Sequence, residues 1–92
     1  MIKTFKHRGL EAFFIHNDKK RLNAKDLPKI SRILDRLDHS IVVNDMDIPG
    51  WNLHELKGNR KGVFSVTVLK NWRITFRFEN AEAFEVNLED YH

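Results

Sequence analysis

The chain has 92 residues, 41% of them apolar and 32% charged, a composition that fits one small globular domain over 1–92 and excludes both a disordered chain and a second core. A formal charge of +3 and a pI near 9.4 suit a polyanionic partner. The lack of cysteine excludes a disulfide scaffold, a thiolate nucleophile and any Cys-ligated metal, and the longest run without Asp, Glu, Lys or Arg is eight residues, 62–69, far short of the roughly 20 that a membrane helix needs.

Residues 1–8 alternate charged and apolar side chains with no hydrophobic stretch, so no signal peptide is read and the cytoplasm is the expected compartment. Residues 2–6 read as a short strand. Residues 9–16 place Leu10, Phe13 and Phe14 at helical spacing, two turns of amphipathic helix. A polar connection follows at 17–21. The clearest element is the next helix, whose stripe is Leu27, Ile30, Ile33, Leu34 and Leu37. Asn23 or Asp26 caps it, and Pro28 fits a first turn best if Asp26 is the cap. Away from the stripe, Lys25, Lys29, Arg32 and Arg36 fall within roughly 60° of arc at helical period. They read either as a solvated face or as a ridge that docks on a nucleic-acid backbone.

Residues 38–50 look like a long, partly acidic connection. Three strand-like runs follow, of which 51–56 is the weakest. In 63–69, Phe64, Val66 and Val68 share one face, with Val63, Ser65, Thr67 and Leu69 on the other. In 72–78, Trp72, Ile74, Phe76 and Phe78 oppose Arg73, Thr75 and Arg77. Lys70-Asn71 turns the hairpin between these two runs, and Glu79-Asn80-Ala81 turns into a last strand, 82–88, with Phe84, Val86 and Leu88 inward. The predicted class is α+β: two N-terminal helices on one face of a small, mainly antiparallel sheet of four to five strands. The other face of that sheet is left for function.

Charge is segregated along the chain. Between His54 and Arg77 the cations are Lys57, Arg60, Lys61, Lys70, Arg73 and Arg77 against a single acid, Glu55; from Glu79 onward come Glu79, Glu82, Glu85, Glu89 and Asp90 with no Lys or Arg. The loop Lys57-Gly58-Asn59-Arg60-Lys61-Gly62 is glycine-bracketed and basic, and reads equally as a phosphate-holding loop or a solvated hairpin connection. Arg73 and Arg77 share a strand face, either wet or offered to phosphate oxygens. His7, His16 and His39 fall in polar, exposed settings and receive no role. His54 lies three residues before Lys57, and Asp90-Tyr91-His92 close the chain. On a continuing strand Asp90 and His92 point one way and Tyr91 the other; the alternatives are a frayed tail and a His–carboxylate pair able to move protons. Among His54, Asp90 and His92 no pair has helical i, i+4 spacing, so no metal site is expected there.

These residues resemble a known family. Met1-Ile2-Lys3-x-Phe5-x-His7-x-Gly9-Leu10, Leu53-His54-x-Leu56-Lys57-Gly58 with Gly62, Asn71-Trp72-Arg73-Ile74-x-Phe76 and the closing Asp90-Tyr91-His92 look like the HigB-type toxins of the RelE/ParE superfamily. The match runs in order over nearly the whole chain. The chain departs from the pattern at Leu69, where many relatives carry a basic residue, with Lys70 beside it as the substitute. The resemblance implies a RelE-like, microbial RNase fold. It also implies a ribosome-dependent endoribonuclease that cuts mRNA in the A site of the small (30S) ribosomal subunit. A HigA-like helix-turn-helix antitoxin would silence it. By position, the implied catalytic residues are His54, Lys57, Arg73, Asp90, Tyr91 and His92. Arg60, Lys61, Lys70 and Arg77 are the expected RNA contacts, and the row Lys25, Lys29, Arg32 and Arg36 the expected ribosome contact. Two other readings stand beside this one: a non-catalytic ParE-like inhibitor and a plain RNA-binding module. Neither explains Asp90-Tyr91-His92 together with His54-x-x-Lys57.

Overall fold

The apolar stripe of the second helix dictates the packing. Ile30, Ile33, Leu34 and Leu37 are all buried, and an amphipathic helix of this kind is stable only when that stripe meets another apolar surface. The computed structural model describes residues 1–90. It contains α1 (Arg8–His16), α2 (Leu27–His39), β1 (His54–Glu55), β2 (Val63–Leu69), β3 (Trp72–Glu79) and β4 (Glu82–Asp90). The four strands form one antiparallel sheet in the order β1-β2-β3-β4. Both helices lie against β4. One core therefore joins Leu10 and the α2 stripe to Val66, Val68, Ile74, Phe76, Ala83 and Val86. This is the α+β architecture read from the sequence.

Residues 2–6 are held by two parallel bridges to the outer edge of β4, Ile2 with Ala83 and Phe5 with Val86. They add a partial fifth strand to the sheet, and the Ile2 amide also donates to Asp38 Oδ1 of α2 at 2.8 Å. His7 is not an exposed bystander. Its Nδ1 accepts the Leu10 amide at 3.1 Å and caps α1. Half-burial lowers its pKa, which favours the neutral ring that an acceptor must be. Asn17 ends α1 in the left-handed region at φ 55°, a conformation that asparagine tolerates. Asn23 caps a separate 3-10 turn, Ala24–Asp26. Asp26 takes the N-cap position of α2 without a side-chain bond, and Pro28 lies in the first turn.

Two further expectations change. The 38–50 connection is structured: it carries a 3-10 turn at Val43–Met46, buries Met46 completely and closes with Asp45 Oδ2 accepting the Ile41 and Val42 amides at 2.9 and 3.2 Å. In β4, the residue buried beside Val86 is Ala83 rather than Phe84. The ladder slips by one residue between Thr75 and Arg77, and Glu85 adopts φ 54°. This is a β-bulge, which inserts an extra residue and reverses the side-chain alternation beyond it. Phe84 therefore pairs with Arg77 on the far face. The Glu85 amide, displaced from the ladder, donates to Thr4 Oγ1 at 2.8 Å.

Candidate active site

The sheet face turned away from the helices carries the polar positions. Opposed residues on paired strands share a face, so the register aligns His54, Ser65, Thr75 and Asn87 in one row, with Thr67, Arg73 and Glu89 in the next. With strands about 4.8 Å apart, His54 on β1 and the β3 positions are separated by roughly 10 Å across β2.

The β1–β2 loop folds down onto this face. Lys57 precedes a 3-10 turn, Gly58–Arg60, and Gly58 and Gly62 both take positive φ, 68° and 92°, which glycine adopts without a Cβ penalty. Glu55 Oε2 accepts the Gly62 amide at 2.9 Å and closes the loop. Arg60 then reaches β4. Its Nη1 and Nη2 donate to Glu89 Oε1 and Oε2 at 2.8 and 2.6 Å, a bidentate pair. Thr75 Oγ1 donates to the same Oε2 at 2.7 Å, and Arg73 Nη2 stands 3.7 Å from Oε1. The Arg60 bonds, with the Thr75 hydroxyl and the charges of Arg60 and Arg73, hold the Glu89 carboxyl down to about 2 despite its partial burial. At neutral pH Glu89 is a fixed anion and not a proton carrier.

This predicts a pH effect on stability. A carboxylate depressed in the folded state stabilises the fold above its ordinary 4.5, and that contribution is lost as pH falls toward about 2. The size is about 1–3 kcal/mol, since one pH unit corresponds to about 1.4 kcal/mol and water access reduces the full value. Urea unfolding from pH 6 to 3 should show a steeper loss in the wild type than in Glu89→Gln. Parallel curves would remove Glu89 as the source.

Of the expected catalytic residues, His54 sits exposed on β1 with Nδ1 3.0 Å from the Asn52 carbonyl oxygen. A carbonyl only accepts, so Nδ1 carries the hydrogen and Nε2 is the nitrogen open to a proton. Lys57 is exposed at the start of the loop turn. Arg73 lies on the open face with its side chain 16% exposed. Asp90 ends β4 opposite Trp72, so strand alternation directs it away from the Arg73–Glu89 side. Tyr91 and His92 lie outside the described residues.

The expected RNA contacts divide. Arg60 has its fork on Glu89, and Arg77 Nε is 3.5 Å from Glu85 Oε2, both at the open face. Lys61 is exposed in the loop and Lys70 in the β2–β3 turn. In the helical row Lys29 is half-buried, and Arg36 Nε donates to the Asp45 carbonyl at 2.6 Å; Lys25 belongs to the preceding 3-10 turn. Among the described residues no three His, Asp or Glu side chains gather as a metal-binding group. No helix among them is long and apolar enough to cross a membrane.

Sequence reading missed Glu89, Thr75 and Asn87. The signal was present: the basic run and the acidic run meet as neighbouring strands, so acids on β4 pair with cations across from them. Lys3 with Glu82 at 3.6 Å and Arg77 with Glu85 repeat the pattern.

A family model described as the RelE-like toxin of the type II toxin–antitoxin system HigB matches residues 3–92. The chain belongs to the HigB-like toxin family. Endoribonuclease HigB of Proteus vulgaris is 41% identical over 92 residues, covering the whole of both chains. Toxin HigB-1 of Vibrio cholerae serotype O1 is 31% identical over 93 aligned positions, covering 99% of this chain and 98% of the relative. Membership in a HigB-like, type II family makes an antitoxin the expected partner. It also agrees with the two-helix, four-strand architecture found here.

Proposed function

We propose that this HigB-like chain is a single toxin domain, 1–92, that cleaves mRNA in the ribosomal A site in the cytoplasm and is neutralised by a HigA-like helix-turn-helix antitoxin. Full-length identity of 41% to a protein named as an endoribonuclease carries this reading. The open face supports it, because His54 and Arg73 lie on it and Lys57 begins the loop whose Arg60 bonds to it.

The proposed chemistry needs three things. The 2′-hydroxyl of one nucleotide loses a proton and attacks the adjacent phosphorus in line. The phosphorus–O5′ bond breaks, and the O5′ oxygen takes up a proton. Extra negative charge on the phosphate is stabilised in between. Lys57 and Arg73 are assigned the charge. His92 is assigned the main proton transfer and His54 the second, with Asp90 orienting a histidine and Tyr91 stacking on a base or placing the phosphate. Arg60, Lys61, Lys70 and Arg77 form the RNA-binding rim of this reading. The products are a 2′,3′-cyclic phosphate, or the 3′-phosphate formed when water opens it, and a 5′-hydroxyl, and the scheme runs without a metal.

The test is expression without an antitoxin, followed by mapping of mRNA 5′ ends and ribosome positions. Discrete, translation-dependent cuts bearing 5′-hydroxyls, formed equally by purified toxin in EDTA on intact ribosomes, are the expected result. Supercoiling defects without cuts would select a ParE-like inhibitor instead.

The ribosome contact is assigned to Lys25, Lys29, Arg32 and Arg36, on the helix layer away from the open face. Changing all four to Gln should weaken ribosome binding and flatten its salt dependence by up to about four phosphate contacts. Because Arg36 already bonds the Asp45 carbonyl, the loss is expected nearer three. A salt titration with unchanged slope and affinity would leave the row as a solvated face.

A further inference from the structure

Glu89 has no part in the chemistry proposed above, yet polar side chains from several elements converge on it. It receives both arms of Arg60, the hydroxyl of Thr75 and, at 3.4 Å, the amide of Asn87, with the Arg73 guanidinium 3.7 Å away. Its side chain is 18% exposed. The partners come from three places: the β1–β2 loop, β3 and β4 itself.

Consider what that convergence constrains. The 57–62 loop has two latches. One is Glu55 to the Gly62 amide, at the base of the loop. The other is Arg60 to Glu89, which ties the loop's turn to the sheet from 29 residues away. Lys57 sits at the start of that same turn. Arg73 is directly opposite Glu89 in the β3–β4 register. One carboxylate therefore contacts the element that carries Lys57 and stands beside Arg73. A surface lysine on a glycine-bracketed loop samples many positions, and each immobilised rotamer-rich side chain carries an entropic cost on binding. An anchored turn reduces that cost. With Nη1 and Nη2 both on Glu89, the Arg60 fork acts as a strut, while its side chain remains 40% exposed at the rim.

We propose that Glu89 is the positioning residue of the active face: through Arg60 it fixes the loop bearing Lys57, and beside Arg73 it sets that guanidinium, so that both cations meet one phosphate. This rests on the reading in which Lys57 and Arg73 stabilise the phosphate. Glu89 touches no substrate in this role and acts through its two arginines.

The experiment is single-turnover cleavage of mRNA on programmed ribosomes at 20 °C, with toxin in excess, for Glu89→Gln, Arg60→Met, the double variant, Glu89→Asp and Arg73→Ala. Melting temperatures are measured alongside. Glu89→Gln is expected to lower the maximal rate about 10–100-fold while the half-saturating toxin concentration moves less than about threefold, since the loss falls on the transition state. Arg60→Met should match it, and the double variant should be no slower than either single within about twofold, because both remove one strut. Glu89→Asp, which keeps the charge, should recover part of the rate. A folded Glu89→Gln at the wild-type rate, with only its melting temperature lowered, would reduce Glu89 to a stabilising residue and overturn the proposal. If Glu89→Gln does not fold, Arg60→Met decides: a folded, fully active Arg60→Met overturns it equally. Arg73→Ala separates this from the reading beneath it. An inactive Arg73→Ala beside an active Glu89→Gln overturns the role of Glu89 alone, whereas a fully active Arg73→Ala overturns the assignment of the phosphate site itself.

Discussion

Alanine at His92 or at His54 is expected to lower mRNA cleavage by about 10²–10⁴-fold, the usual worth of one general acid–base group. His54 gives the cleaner experiment. Its ring is exposed and bonds to the Asn52 carbonyl, so its removal leaves the core intact. The melting temperature should therefore stay within a degree or two of wild type while growth inhibition disappears. His92→Ala tests the assigned main proton-transfer group. Full toxicity from a well-expressed His92→Ala would remove that residue from the chemistry, and an unchanged rate in His54→Ala would leave its imidazole without a role.

Phe76→Ala should act the other way, on stability rather than chemistry. Phe76 is 1% exposed, lies in the middle of β3 and stacks on Phe64 with ring centroids 6.1 Å apart. Emptying such a site costs about 3–5 kcal/mol, against about 5–15 kcal/mol for a whole domain. At about 4–8 °C per kcal/mol for a domain of this size, the melting temperature should fall by more than about 12 °C. Thermal unfolding by circular dichroism reads this directly. A drop of under about 4 °C would mean that the pocket collapses around the missing ring.

Much of the fold was legible because local signals agreed with one another. The α2 stripe has a single helical reading, and the alternation in β2 and β3 matches a sheet covered on one side: the faces that group Val66 with Val68 and Ile74 with Phe76 are the ones that form the core. The β4 phase was not legible. Alternation from Phe84 through Leu88 looks regular, and nothing in Phe84-Glu85-Val86 announces a positive φ at a glutamate. Met46 was hidden for another reason: one buried side chain in a polar connection has no periodicity to reveal it. In the candidate site, strand parity alone sets Arg73 opposite the Trp72 row, whereas the face of His54 is known only from its pairing with Ser65. Glu89 and Arg60 required knowing that the loop folds back across three strands, a contact over 29 positions that no local pattern encodes. The fate of the charge segregation follows from the same fact. A basic run and an acidic run look like two surfaces when read along a chain and become partners when the chain turns between β3 and β4.

The bulge at Glu85 reaches further than its own neighbourhood. Glu89 and Asp90 are adjacent carboxylates, and the sheet shows one to Arg73 and turns the other away. Which one is shown depends on counting. Ala83 faces the helices before the bulge, and Val86 faces them after it. A strand paired straight through from Ala83 would bring Asp90 to the arginines and send Glu89 toward the helices. The inserted residue thus behaves as a frame-setter for chemistry about 13 Å down the strand, at about 3.3 Å per residue. Engineering that removes Glu85 itself would restore regular alternation and keep the frame. A deletion two residues later, at Asn87, would exchange the faces of the two acids without substituting any residue assigned to the chemistry, and directed variants of this toxin are best interpreted with that reading frame in mind.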